Sequence, residues 1–167
     1  MAKKALVVYF SWSNGNTKRI AEQLQKALGA DIERLETVVP YDGSYNEVVS
    51  QAQDEVRRGY KPELRPLTHH PEDYEVIAVG TPTWWYTMAP AVKSFLEGHD
   101  FAGKTVIPFM TNAGWPGKVL KDMAKAARGA DVIDGKEIRF DSSGGDRMVS
   151  PEKDVENWIH SVVQRLA

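Results

Sequence analysis

The sequence predicts an α/β protein built on a parallel sheet with helices on both faces. Short apolar, β-rich runs alternate with amphipathic helical segments five times along the chain, and that alternation marks βαβ units. The 167 residues are 42% hydrophobic and 26% charged, a globular composition on a length that buries a sizeable core without staples. Connections are short except around residues 60–73. No place for a domain boundary stands out, so residues 1–167 are expected to form a single domain.

The elements follow in order. Residues 4–10 form an almost unbroken apolar run, as a central parallel strand should. Residues 18–28 place Ile20, Ala21, Leu24, Ala27 and Leu28 on one helical face, and Gly29 is a natural stop. Residues 31–35 read as a short strand nearer an edge. Within 41–59 lies a second helix, with Val48, Val49, Ala52 and Val56 on one side. Residues 60–73 are rich in Pro and polar residues and read as a connecting loop. Residues 74–80 (YEVIAVG) are a third, buried strand, followed by a helix over 89–96 with Pro90 in its first turn. Residues 104–110 make the fourth strand, 118–128 a helix and 136–140 a weak fifth strand. The last helix, 151–166, starts on Ser150-Pro151 and turns Val155, Trp158, Ile159, Val162 and Val163 inward.

Composition excludes several functions. Twenty-one basic residues against 23 acidic ones give a net charge of -2, without the basic footprint of a non-specific nucleic-acid binder. The absence of cysteine excludes a disulfide scaffold, Cys-ligated zinc, iron–sulfur ligation and a Cys nucleophile. No run approaches the roughly 18 apolar residues of a membrane span. Met1-Ala2-Lys3-Lys4 ahead of Ala5–Phe10 imitates the opening of a signal peptide. The apolar run is too short, and a polar loop follows without a small-residue cleavage site. A cytoplasmic protein with neither nucleic-acid nor membrane partner is expected.

In an open parallel sheet, ligands bind at the carboxyl ends of the strands. Three such ends are unusual here. The first is Ser11-Trp12-Ser13-Asn14-Gly15-Asn16-Thr17, a loop of hydroxyls, amides and Gly-freed backbone at a helix N-terminus. Unpaired N–H groups and the helix dipole let such a loop hold a phosphate without Lys or Arg. One residue suffices to cap a helix, so five polar side chains in seven positions point to an anion. The G-x-x-x-x-G-K-[ST] pattern fails here and at Gly117-Lys118-Val119, and G-x-G-x-x-G is absent from the first turn. A monophosphate fits better than a triphosphate or pyrophosphate. The second end, Thr81-Pro82-Thr83-Trp84-Trp85-Tyr86-Thr87-Met88, carries three adjacent aromatics on which a flat heteroaromatic ring could stack. The third, Thr111-Asn112-Ala113-Gly114-Trp115-Pro116-Gly117, offers close backbone approach and one more ring.

With these three loops in view, the chain resembles the flavodoxin family. The family's phosphate-loop pattern [ST]-x-[ST]-G-N-T is met by Ser11-Trp12-Ser13 and Gly15-Asn16-Thr17, with Asn14 as an extra residue. Gly80 to Pro90 looks like the family's flavin-ring loop, and Gly103-Lys104-Thr105-Val106 is similar as well. The resemblance spans essentially the whole chain. It implies a three-layer fold with a five-stranded parallel sheet of order 2-1-3-4-5. It implies FMN held non-covalently, with the phosphate in Ser11–Thr17. The ring would lie among Pro82, Thr83, Trp84, Trp85, Tyr86 and Thr111, Asn112, Ala113, Gly114, Trp115. It further implies a low-potential electron-transfer protein serving a reductase and an electron acceptor. Two features depart from the pattern: family members are typically strongly acidic, and the segment 81–88 lacks the Gly whose peptide flips in many of them. The alternative is an FMN-dependent NAD(P)H:quinone oxidoreductase on the same fold. No G-x-S-x-G elbow supports a hydrolase. His69-His70 lacks metal-ligand spacing, and Ser142-Ser143-Gly144-Gly145-Asp146 reads as a flexible turn at the fifth strand end.

Overall fold

The computed structural model describes residues 4–166; Met1-Ala2-Lys3, which open the signal-like start, lie outside them. Its elements run β1 (Ala5–Tyr9), α1 (Asn16–Leu28), β2 (Asp31–Arg34), α2 (Tyr45–Arg58), β3 (Val76–Trp84), β4 (Thr87–Met88), α3 (Pro90–Glu97), β5 (Thr105–Asn112), α4 (Val119–Ala126), β6 (Asp131–Val132), β7 (Lys136–Arg139) and α5 (Glu152–Leu166). The sheet order is β2-β1-β3-β5-β6, with β7 also on β5 and β4 on β3. All pairings along that path are parallel. The predicted 2-1-3-4-5 order therefore holds, with its fifth lane built from two short pieces.

The apolar runs are unbroken because both faces of the sheet are covered. In β1, Leu6 and Val8 join Phe10 in a core with Ile77, Val79, Val92, Phe95 and Met123. Val7 and Tyr9 point the other way, into a core with Ile20, Leu24, Phe109, Val155, Trp158 and Val162. Thus α3 and α4 pack on one face, and α1 and α5 on the other. Residues 60–73 are the expected loop with a short helical turn at Pro71–Asp73, but Leu64 bridges Thr37 antiparallel and lays the loop along the chain beyond β2.

Three boundaries differ from the sequence expectation. The segment 81–88 is not a loop. β3 continues to Trp84, because Thr81 and Pro82 still pair with Met110 and Thr111, and the chain then folds back as an antiparallel hairpin with Thr83 opposite Met88. β5 likewise runs to Asn112, where it pairs with Arg139, so the third loop starts at residue 113. The fifth lane also has an extra piece, β6, paired to Thr105 and Val106. The break after it centres on Asp134, at φ 51. There α5 holds it: Trp158 Nε1 donates to Asp134 O (2.6 Å) and Arg165 Nε to Asp134 Oδ2 (2.7 Å). Among the described residues no helix is long and apolar enough to cross a membrane.

Candidate functional site

The carboxyl ends of β1, β3 and β5 face one cleft of about 280 Å3. Its polar end is the turn before α1. Gly15 is the N-cap of α1 at φ 73, and no side-chain hydrogen bond caps the helix. The plain alternative for this Ser- and Asn-rich turn, a side chain spent on starting the helix, is therefore not what the structure adopts. The first-turn N–H groups keep their donor capacity and the helix keeps its positive end. Ser13, at φ 59, and Gly15 are two left-handed residues around Asn14. That reversal accommodates the extra residue and turns the Asn14 amide across to the carbonyl of Gly144. Asn16 Nδ2 reaches Gly145 O at 3.0 Å.

The aromatic end is built around Trp84. Trp84 meets Phe10 (5.5 Å), Tyr41 (5.1 Å) and Trp12 (6.3 Å) edge-on, and Trp12 stacks on Tyr45 at 5.8 Å. Trp12 Nε1 donates to Tyr41 O at 3.1 Å. Behind them Tyr41 donates to the buried Glu55 at 2.7 Å, and burial, then the Glu55 carboxylate, push its phenol well above the usual range. This ring is a neutral structural donor at any physiological pH.

The hairpin tip is Trp85-Tyr86, with φ of 51 and 69. A two-residue turn with both φ positive normally uses Asn or Gly, so two aromatics there carry backbone strain. Contacts on every side fix it. Trp85 Nε1 donates to Val49 O (2.9 Å), Thr87 Oγ1 to Asp122 Oδ2 (2.6 Å), and Lys118 N to Tyr86 O (2.9 Å). Gly117, at φ 57, lets the third loop pass under the tip, since a Cβ there would stand 2.2 Å from Tyr86 O.

Of the residues singled out by sequence, Trp12, Ser13, Asn14, Asn16, Pro82, Thr83, Trp84, Trp85, Thr111, Asn112 and Ala113 line the cleft. Thr17 is buried, with its hydroxyl 2.9 Å from that of Thr111. Ser11 is buried and faces a hollow on the β2 side with Arg34 and Tyr41. Tyr86 and Trp115 stand outside the cleft on exposed surface. Sequence reasoning missed two walls, one from Tyr45, Val48, Val49 and Ala52 of α2 and one from Phe140, Asp141, Gly144 and Gly145. The second had a signal: a Gly-Gly turn after the fifth strand occupies another carboxyl end. Asp141 organises it by accepting from Ser143 Oγ (2.5 Å), Gly145 N (2.9 Å) and Arg147 N (3.1 Å). These bonds, that of Ser143 foremost, pull its carboxyl down to about 2. The donor set at one end and the rings at the other fit a planar heteroaromatic ring carrying one phosphate.

Comparison with known proteins agrees. A family model described as Flavodoxin matches residues 4–162. A flavoprotein of Lactobacillus acidophilus, solved in complex with FMN, is 25% identical with a TM-score of 0.70 over 94% of this chain and 99% of its own. A candidate flavoprotein of Bacteroides eggerthii is 27% identical, with a TM-score of 0.76 over 96% and 98%. Oxidised Flavodoxin 2 of Bacillus cereus, 19% identical at a TM-score of 0.56 over 96% and 95%, shares the fold. No curated protein matches.

Proposed function

The chain belongs to the flavodoxin family, whose cofactor is FMN, and on that premise we propose that it is a low-potential electron carrier working between redox proteins of the cytoplasm. FMN, when bound, supplies the electron chemistry. The chain's own residues do the rest. The uncapped N-terminus of α1, with Ser13 and Asn16, takes the phosphate by charge-assisted hydrogen bonds. Trp84 and Trp85 hold the ring, with Pro82, Thr83 and Ala113 close to it. The apolar walls exclude water and disfavour added negative charge, which keeps the potential low. The observation that carries this reading is the meeting, in one cleft, of the turn of Ser13, Asn14 and Asn16, at a helix start that no side chain caps, with Trp12, Trp84 and Trp85.

A second reading, an NAD(P)H:quinone oxidoreductase, has one observation in its favour. A hollow of about 210 Å3 between Trp85, Tyr86 and Trp115 opens beside the cleft and could take a flat quinone. Calorimetry and turnover separate the possibilities. FMN should bind the apoprotein at least about a hundredfold more tightly than riboflavin, which lacks the phosphate and its two or more charge-assisted bonds. The FMN-loaded chain should oxidise NADPH negligibly, with or without quinone, unless a partner reductase is added. Equal affinity for riboflavin would overturn the phosphate assignment. Quinone-dependent NADPH oxidation at roughly 1–1,000 per second would replace the carrier by the enzyme.

A further inference from the structure

On the far side of Trp85 lies a second groove, of about 500 Å3, between the hairpin tip, α2, α3 and α4. Its charges are unbalanced. Glu55 is taken up by Tyr41 and Gln51, Glu97 faces Lys61 at 3.5 Å and Lys93 at 4.0 Å, and Asp122 accepts from Thr87. Lys118, Lys125 and Arg128 also line the groove, are exposed, and enter none of the ion pairs among the described residues. Lys121 adds a fourth exposed cation, at three- and four-residue spacing from Lys118 and Lys125 on the same helical stretch. Helix stability does not explain this placement. Lys118 is the N-cap of α4 and Lys121 lies in its first turn, where the dipole disfavours cations. Beside these cations the strained tip holds Tyr86 56% and Trp85 38% exposed, and Trp115 is 58% exposed.

We propose that this face, α4 with the Trp85-Tyr86 tip and Trp115, is the docking surface for a redox partner whose own electron-transfer face is rich in carboxylates. The inference rests on the carrier reading above. Large exposed aromatics beside a cluster of unpaired cations match the composition of a protein interface. The exposed aromatics of the tip and Trp115 spread beyond the groove itself and so suit a broad protein surface better than a nucleotide. Because Trp85 lines both this groove and the cofactor cleft, a partner seated here comes within one side chain of the flavin site. Charge steering here opposes the molecule's net charge of -2, which would repel an acidic partner.

That opposition makes the test a matter of sign. A reduced, acidic plant-type [2Fe–2S] ferredoxin serves as probe: one electron leaves its cluster and enters the FMN of the loaded chain, followed by stopped flow. The rate should fall about tenfold or more as salt rises from about 20 to about 500 mM. Lys118→Glu with Lys125→Glu should lower the low-salt rate at least about tenfold and flatten the salt dependence. Lys26→Glu with Lys153→Glu makes the same charge change on α1 and α5, across the sheet, and should leave at least half the rate. FMN content and the visible spectrum confirm that each variant is loaded. A rate that rises with salt, or equal losses in the two pairs, overturns the docking face and leaves the carrier reading standing. If NADP+ competes with ferredoxin and the Lys118/Lys125 pair loses NADP+ binding, the groove is a dinucleotide site and the proposal is overturned. Absence of transfer from ferredoxin in every variant, with rapid direct NADPH oxidation, overturns the carrier reading and this inference together.

Discussion

Gly117 and Gly15 both sit at positive φ, yet a side chain would cost different amounts at each. At Gly15 a Cβ meets nothing within 4 Å, so Gly15→Ala should cost only the left-handed strain of about 1 kcal/mol. At Gly117 the Cβ would enter the backbone of Tyr86, at 2.2 Å from its oxygen and 2.5 Å from its Cα. Gly117→Ala should therefore cost about 2–5 kcal/mol in urea unfolding and shift the tryptophan emission, because the tip must lift. Asp141 gives a pH prediction. Its carboxyl is held near 2 by Ser143, Gly145 and Arg147, below its ordinary 3.8. A depressed carboxylate contributes stability above its unfolded value and loses it as pH falls through its folded one. The turn 141–147 should thus stay ordered down to about pH 4 and open between there and about pH 2. The Gly145 and Arg147 amide resonances should titrate over that window, and in Asp141→Asn they should not.

The hairpin shows where pattern reading stops at the level of elements. The apolar runs at 4–10 and 74–80 and the helical stripe of 18–28 were legible, because burial on one or both faces leaves a period in the sequence. Trp85-Tyr86 leaves none, since the usual mark of a tight hairpin is Asn-Gly or Asp-Gly, and this turn is held by tertiary bonds instead. β6 was invisible because two residues carry no period. For the site, the polar loop before α1 was legible from its hydroxyls. The wall from α2 was not: Val48, Val49 and Ala52 read as a core-facing stripe, and a stripe looks the same whether it meets a sheet or a ligand. The bond from Thr87 to Asp122 ties the hairpin to α4. Thr87→Val should cost about 1 kcal/mol and speed hydrogen exchange at the Lys118 amide, which donates to Tyr86 in the same tip.

For the whole molecule, cofactor and fold are linked by mass action. FMN held about a hundredfold above its dissociation constant should add about 2.7 kcal/mol to unfolding, and riboflavin at the same concentration should add far less. A thermal melt of the apoprotein with each ligand measures both. The outer lanes of the sheet carry a different consequence. On one side β2 is only Asp31–Arg34, and the chain beyond it is bridged at Thr37 by Leu64. On the other, the lane is cut at Asp134 into pieces of two and four residues, pinned by Trp158 and Arg165. An uninterrupted outer strand would present a row of open amides that a second copy could zip onto, the first step toward fibrils. Among the described residues neither side offers such a row, so copies that meet in a crowded cell find only short, interrupted edges to recruit.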